Sequence, residues 1–404
     1  MKIAIVGQGY VGLPLAIKAG NAGHEVIGFD VSDELVERLN SGISHVEDVD
    51  SSELQNLINS GFYRATANPK DFAQVEIVII AVPTPLTADR LPDLSFVESA
   101  ASIIGRNLET SALVINESTS YPGTLRDVIA PIVAKSSSKG IAHEFAVSPE
   151  RVDPGSSDWS ISNTPRIYSG LSELAMNKTE EFYSSFCTNL IRVDTPEIAE
   201  SAKLFENTFR QVNIALVNEF ALIMRALNIP VHQVLEAAAT KPYGFMKFSP
   251  GIGVGGHCIP VDPSYLSFVA NQAKISPRFI DLANSVNLDM PKAIVSRIIK
   301  ENGGSINGKS VLVCGVSYKA NVSDVRESPS DLLISELNAT GAIVDWHDPL
   351  VEKFQDSTSA SLENRKYDIV IVAILHTVMD RQAITRAGNY IFDCTGTLTG
   401  ANTL

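Results

Sequence analysis

The chain has 404 residues, 45% of them apolar and 19% charged, with a formal net charge of −14. That length allows two or three domains, and the acidic balance argues against a general nucleic-acid binder and against docking on an anionic membrane. An anionic ligand then requires cations and helix N-termini gathered at one place.

Four cysteines, at 187, 258, 314 and 394, are too few and too scattered for a disulfide framework or a zinc motif, so no metal is expected. The N-terminal "MKIAIVGQGY" turns to glycine after one short apolar run and does not read as a signal peptide. No apolar segment approaches the ~18 residues of a membrane span. The expected location is the cytoplasm, where thiols stay reduced.

Residues 1 to about 195 alternate short apolar runs with helical patterns. "KIAIVG", "EVIGF", "VEIVIIAVPTP", "SALVINES" and "EFAVSPE" predict strands, and near-continuous Val/Ile runs between helices predict a doubly wound parallel sheet. "GQGYVG" (7 to 12) follows the first strand and opens a helix. There Gly7 allows a tight turn, Gly9 lets a pyrophosphate approach the backbone, and Gly12 lets helix pack on strand. Asp30 closes the next strand at the distance where a carboxylate takes the ribose diol of NAD and repels the 2′-phosphate of NADP. NAD is the expected cofactor.

Two further strand ends carry "NESTSYPGT" (116 to 124) and "SPERVDPG" (148 to 155), which makes Thr119 and Glu150 candidates. From position alone, each reads equally well as a turn or cap residue.

From Pro196 the pattern becomes one long helix closed before Pro230, roughly 45 Å in length. Ile198, Ala202, Phe205, Phe209, Val212, Leu216, Phe220 and Ile223 fall on one apolar face that should pack inward. Lys203 and Asn207 share another stripe, continued by Arg210; the alternatives are a solvated face or a pair of donors for a developing oxyanion.

Helical "VHQVLEAAAT" then leads to "GIGVGGHCIPVDP" (251 to 263), a fixed irregular loop, and "DLANSVNLDMPKAIVSRIIKEN" follows as helix. A cysteine among glycines fills no core. Cys258 is therefore a candidate nucleophile, accessible to a substrate that glycines let approach. His257 is adjacent, and neighbours seldom point the same way, so the structural reading is favoured over a base. Cys314, within "VLVCGV", reads as packing.

After "NGGSINGKS" a smaller doubly wound domain begins, with strands "VLVCGV", "AIVDWHD", "DIVIVAIL" and "YIFDCTG". The loop "GVSYKANVSDVRESP" after its first strand offers Lys319 and Arg326 to phosphates. Two α/β lobes joined by a long helix predict a ligand cleft between them.

"GQGYVGLPLA", "AVPTP", "ESTSYPGT", "SPERVDPG", "KLFENTFRQVNIALVNE", "PGIGVGGHCIPVDP" and "GVSYKANVSDVRESP", in this order over nearly the whole chain, resemble the UDP-glucose/GDP-mannose dehydrogenase family. The resemblance implies an NAD-binding domain at 1–195, a central helical domain at 196–302 with the catalytic loop and dimer contacts, and a UDP-binding domain at 303–404. It implies oxidation of a nucleotide sugar's 6-hydroxymethyl group to a carboxylate by two NAD+. The residues it implies for catalysis are Cys258 as nucleophile, Lys203 and Asn207 on the oxyanion, Asp262 supporting the thiol and a water, and Thr119 and Glu150 assisting positioning and hydrolysis.

For the cofactor it implies Gly7, Gly9, Tyr10, Val11, Gly12, Asp30, Pro83, Thr84, Thr119 and Arg326. For the sugar nucleotide it implies Glu150, Arg151, Val152, Lys203, Asn207, Phe248, Gly251, Gly253, Tyr318 and Lys319. The segment "ATKPYGFMKFSPGIGVGGHCIPVDPSYL" resembles the UDP-N-acetylhexosamine branch, and "TKPYGFM" tilts the expectation to the gluco sugar, ahead of UDP-N-acetyl-D-mannosamine and then UDP-glucose. One departure stands out: where many members carry an arginine after the last strand's aspartate, this chain has Cys394, Thr395 and Gly396.

Two rivals fit less of the chain. A two-electron β-hydroxyacid-type dehydrogenase needs neither the thiol nor residues 305 to 404, and a silent nucleotide-sugar or NAD sensor needs no thiol. The apolar helix also predicts a homodimer.

Overall fold

The structure, a computed structural model, describes residues 1–137, 139–152, 158–363 and 365–404. It divides into two compact units. The first comprises Met1–Glu206 with Ser264–Ala273, and the second Asn207–Pro263 with Lys274–Leu404. The architecture is α/β, as the sequence predicts.

The first unit is built on eight strands: β1 (Lys2–Val6), β2 (Glu25–Phe29), β3 (Tyr63–Thr66), β4 (Ile77–Ile80), β5 (Leu113–Asn116), β6 (Glu144–Val147), β7 (Arg166–Gly170) and β8 (Leu190–Arg192). Their order is β3-β2-β1-β4-β5-β6-β7-β8. Every pairing is parallel except β6 with β7. β1, β4 and β5 are buried on both faces, so each is an unbroken run such as "IVII" or "LVIN", not an alternation. β3, β7 and β8 are additional to the five predicted strands. β8 has only three residues, and "YRAT" and "RIYSG" carry a basic residue that hides the apolar signal.

The second unit holds a five-stranded parallel sheet. Its chain order is β9 (Ser310–Cys314), β10 (Ile343–His347), a small hairpin of β11 (Lys353–Phe354) and β12 (Ser357–Thr358), then β13 (Tyr367–Val372), β14 (Gly388–Asp393) and β15 (Asn402–Thr403). The sheet runs β10-β9-β13-β14-β15.

The long helix is a single element, Pro196–Ala226. Its buried face is not the one the apolar periodicity predicts. Ala199, Glu200, Leu204, Thr208, Gln211, Ala215, Asn218 and Ala221 are buried, whereas Phe205 (65% exposed), Leu216 (64%) and Ile223 (47%) face outward with Ile198 and Phe209. Small and polar residues take the inner side because Asn218 and Gln211 are hydrogen-bonded there, to Asn287 and Asn284 of the helix Arg278–Glu301. The apolar stripe is uncovered in the single chain. A helix that the sequence reading does not predict, Asp262–Gln272, overlaps the end of the 251–263 loop and starts directly after the cysteine turn.

Candidate functional site

At the head of the first sheet two of the three glycines are fixed by space. Gly7 has φ +94°, and a Cβ there would lie 2.3 Å from the Ala81 carbonyl oxygen; at Gly12 it would lie 1.9 Å from the Gly7 oxygen. A Cβ on Gly9 would meet nothing within 4 Å, so this glycine faces open space at the start of the helix Gly12–Asn21. That is the cradle a dinucleotide pyrophosphate needs: bare backbone N–H groups at a helix N-terminus.

Asp30 stands beside it at the end of β2. Its Oδ2 accepts from the Gln8 N–H at 2.9 Å and its Oδ1 from the Ser32 N–H at 3.1 Å. Each oxygen keeps a lone pair for a ribose hydroxyl. Tyr10 is exposed with its ring edge-on to His45, Val11 is half-buried, Pro83 is exposed and Thr84 is buried. Ser118 holds the 82–84 turn by donating to the Val82 oxygen and accepting from its N–H, both at 2.9 Å. Thr119 follows it, half-buried.

Glu150 lies just beyond β6. Its Oε1 accepts the backbone N–H groups of Arg151 (2.6 Å) and Val152 (2.7 Å), and its Oε2 meets the Arg166 guanidinium at 2.6 Å. Burial pushes this carboxyl up, but Arg166, the two N–H groups and Lys203 outweigh it and hold Glu150 below the usual range. Glu150 is therefore an ionised, fixed carboxylate that faces Lys203. The Arg151 guanidinium grips Glu206 through two bonds (3.0 and 2.6 Å) and the Pro165 oxygen, so its charge is committed within the first unit. Of the expected loop 148 to 155, residues 153 to 155 lie outside the described residues. A small surface recess lies beside Glu150, Val152 and Arg166.

In the second unit, the cysteine sits on a turn that starts a helix. The Cys258 carbonyl accepts from Val261 N–H (3.1 Å) and Asp262 N–H (2.8 Å), and Asp262 is the first residue of the helix Asp262–Gln272. Asp262 is buried, and its Oδ2 accepts from the Asn207 amide. One donor of Asn207 is thus spent on Asp262, and its second N–H is still to be used. Cys258 is half-buried, whereas Cys187, Cys314 and Cys394 are buried. Burial pushes the thiols of those three up, that of Cys187 to about 11. Burial also pushes His257 down, so it is neutral at pH 7.

The glycines of the cysteine loop have identifiable neighbours. The Gly251 N–H donates to Asn218 at 2.9 Å, and Gly253 (φ +133°) approaches the Asn287 carbonyl. A Cβ on Gly255 or Gly256 would strike Tyr318, at 2.9 and 2.8 Å. The loop thereby packs against the segment that carries Tyr318 and Lys319, both half-buried. Phe248 stacks edge-on to Phe209. Arg326 is exposed and chelated by Asp324 through three bonds of 2.6–3.0 Å.

The second sheet repeats the glycine–aspartate arrangement of the first. Gly315 has φ +85° and donates to the His347 oxygen, as Gly7 donates to the Phe29 oxygen, and Asp348 accepts from Val316 N–H as Asp30 does from Gln8. The difference is His376. Its Nε2 lies 2.9 Å from the Asp348 carboxylate and both are buried, so Asp348 is closed to a ribose. The His376 Nδ1 accepts from Asn321 N–H at 2.8 Å, which places the ring proton on Nε2. This pair pins the 315–328 loop. Where the family arginine is missing, Asp393 accepts the N–H groups of Thr395, Thr397 and Leu398, and a Cβ at Gly396 would lie 2.2 Å from the His232 ring.

Sequence reasoning missed Glu117, Arg166 and Tyr183, a buried cluster behind Glu150, together with Glu200, Asp348 and His376. Glu200 is buried in the long helix and accepts from Ser120 and from the N–H groups of Gly123 and Leu125. Burial pushes it up to about 7. The only available signal was a charged residue inside an apolar run, as in "RIYSG" and "PEIAES".

Residues 1–187 match the NAD binding domain of the UDP-glucose/GDP-mannose dehydrogenase family, residues 197–289 its central domain, and residues 312–400 its UDP binding domain. The chain is 33% identical to a UDP-N-acetyl-D-glucosamine 6-dehydrogenase of Pseudomonas aeruginosa over 389 residues, 93% of this chain and 91% of that protein. It is 35% identical to a UDP-N-acetyl-D-mannosamine dehydrogenase of Pyrococcus horikoshii over 382 residues, 93% and 90% of the two. A solved structure of a UDP-D-ManNAc dehydrogenase from Pyrococcus horikoshii superposes with a TM-score of 0.88 at 31% identity, covering 100% of this chain and 98% of that one.

Proposed function

Because the chain belongs to the UDP-glucose/GDP-mannose dehydrogenase family and carries its NAD and UDP binding domains, we propose that it oxidises C6 of UDP-N-acetyl-D-glucosamine from alcohol to carboxylate, with Cys258 as nucleophile. The observation that carries this reading is Cys258 itself. It is the one cysteine of four that is not buried, and it sits on the turn that presents Asp262, which Asn207 in turn holds.

Gly7, Gly9, Gly12 and Asp30 hold NAD, with Tyr10, Val11, Pro83, Thr84, Thr119 and Arg326 around it. When bound there, NAD+ would supply the hydride acceptor for both oxidations. An aldehyde has no hydride to give until a nucleophile adds to it, so the Cys258 sulfur bonds to the carbonyl carbon and makes a thiohemiacetal. The second oxidation leaves a thioester. Water then forms the C–O bond as the thiolate departs, so one alcohol, two NAD+ and one water give one carboxylate, two NADH and three protons.

Lys203 and Asn207, one turn apart on the long helix, steady the oxyanion. Asp262 orients Asn207 and a water near the thiol. Glu150 serves as a fixed carboxylate for positioning and hydrolysis, because its ion pair and two N–H bonds keep it ionised. Arg151 and Val152 hold that loop. Phe248, Gly251, Gly253, Tyr318 and Lys319 contact the sugar nucleotide, Lys319 at the diphosphate. The functional division is 1–195 for NAD, 196–302 for the catalytic loop and 303–404 for UDP.

The exposed stripe Phe205, Phe209, Leu216 and Ile223 supports a homodimer through the long helices. Burying such side chains stabilises by about 1.5–3 kcal/mol each. A second reading of the sugar, UDP-N-acetyl-D-mannosamine, is favoured by the Pyrococcus horikoshii structural neighbour. A panel of UDP-sugars followed by NADH absorbance separates them. The expected order is UDP-N-acetylglucosamine, then UDP-N-acetylmannosamine, then UDP-glucose; faster turnover of UDP-glucose than of both acetylated sugars contradicts the proposal.

A further inference from the structure

Behind Glu150 lies a group of charges of which the steps above use only the Arg166 ion pair. Arg166, on β7, is 4% exposed and its guanidinium is forked between two carboxylates. Its NH2 nitrogen holds Glu150 Oε2 at 2.6 Å, and its NH1 nitrogen holds Glu117 Oε1 at 2.9 Å. Ser148 Oγ takes a further bond from NH1 at 3.2 Å, and the guanidinium carbon lies 4.5 Å from the centre of the Tyr183 ring.

Glu117 follows β5, two residues before Thr119, and is fully sequestered. Tyr183 donates its hydroxyl to the same Oε1 that Arg166 holds. The other oxygen, Oε2, has no hydrogen-bond partner among the described residues. Cys187 is a further titratable neighbour of the cluster, and the Lys203 charge also acts on Glu150. One buried cation therefore answers to two carboxylates, and only one of them, Glu150, belongs to the proposed site.

We infer that Arg166 is a positioning residue for Glu150, and that Glu117 sets the strength of that grip by competing for the same guanidinium. The inference rests on the role proposed for Glu150. When Glu117 is neutral, the whole charge of Arg166 bears on Glu150; when Glu117 is ionised, the guanidinium is shared and Glu150 is held less firmly. Burial and the Glu150 charge, opposed by Arg166 and Tyr183, push the Glu117 carboxyl up to about 7, so the competition changes across neutral pH.

Glu117→Gln keeps the shape and an oxygen for Arg166 and Tyr183, but can never ionise. Acid formation from the best UDP-N-acetylhexosamine, followed over pH 6 to 8, is the readout. The expected result is a wild-type kcat that falls about threefold or more relative to Glu117→Gln as pH rises through 7, with NAD+ affinity equal in the two proteins. Arg166→Lys, which keeps the charge but loses the fork, should lower kcat about tenfold with KM nearly unchanged, and intact mass should show a sugar adduct building up on the enzyme. If Arg166→Lys does not fold, Glu117→Gln decides alone. Superimposable pH profiles for wild type and Glu117→Gln overturn the inference while leaving the dehydrogenase reading intact. Absence of NADH from every UDP-sugar with the wild type overturns that reading, and this inference with it.

Discussion

Asp30 anchors the glycine turn through the Gln8 N–H. Its proposed second role is to take the ribose diol of NAD with its remaining lone pairs. The wild type is expected to prefer NAD+ strongly, because a 2′-phosphate would meet this negative charge. Asp30→Ala should weaken NAD+ binding and narrow its advantage over NADP+, measured by titration of each dinucleotide against protein fluorescence. Equal affinity of the wild type for both would contradict the assignment. Asp30 and the three glycines were legible in the sequence because they fall within one local strand–turn–helix–strand pattern: Gly7 has φ +94°, and a Cβ on Gly12 would lie 1.9 Å from the Gly7 oxygen. Glu117 and Arg166 were not legible. They stand 49 positions apart in the sequence and meet only because β6 lies between β5 and β7 in the sheet. His376 and Asp348 were hidden for the same reason, on β13's and β10's trailing loops either side of β9.

The long helix shows how a correct element can be read with the wrong side inward. Its length and limits follow from Pro196 and the sequence before Pro230, and the structure gives Pro196–Ala226. Apolar spacing alone assigns Phe205, Leu216 and Ile223 to the core. Instead, Glu200, Gln211 and Asn218 are buried, because each has partners: backbone N–H groups for Glu200, and asparagines of the neighbouring helix for the other two. A polar residue can be interior when its hydrogen bonds are supplied, and periodicity does not see those bonds. The outward stripe then calls for a partner surface, and the dimer proposal makes it testable. Leu216→Asp should convert a dimer to monomers in sedimentation, since burying one unpaired carboxylate in an apolar contact costs several kcal/mol. A wild type that sediments as a monomer would contradict the dimer, and an Asp variant that remains dimeric would place the contact elsewhere.

Over the whole molecule, one supersecondary plan is used twice, with a strand, a positive-φ glycine and an acceptor aspartate at the end of the next strand. In the first sheet Asp30 is left reachable; in the second, Asp348 is covered by His376. Burial pushes Asp348 up, but the His376 bond and the N–H groups of Leu350 and Val316 hold it down, so it remains an ionised structural anchor. The sequence shows the repetition as a partial echo of strands and loops, but not the histidine that separates a dinucleotide cradle from a closed one. Among the described residues, no helix is long and apolar enough to cross a membrane.

The proposed chemistry makes the molecule a catalyst of four-electron oxidation by two NAD+, built around one accessible thiol, and its stoichiometry can be counted. The direct measurement is NADH released per sugar consumed, with intact-mass analysis of the enzyme during turnover, for wild type and Cys258→Ala. The account predicts two NADH per sugar with little free aldehyde, a transient adduct on the wild type, and no acid from Cys258→Ala although NAD+ still binds. One NADH per sugar with aldehyde as the final product, or full acid formation by Cys258→Ala, would contradict it.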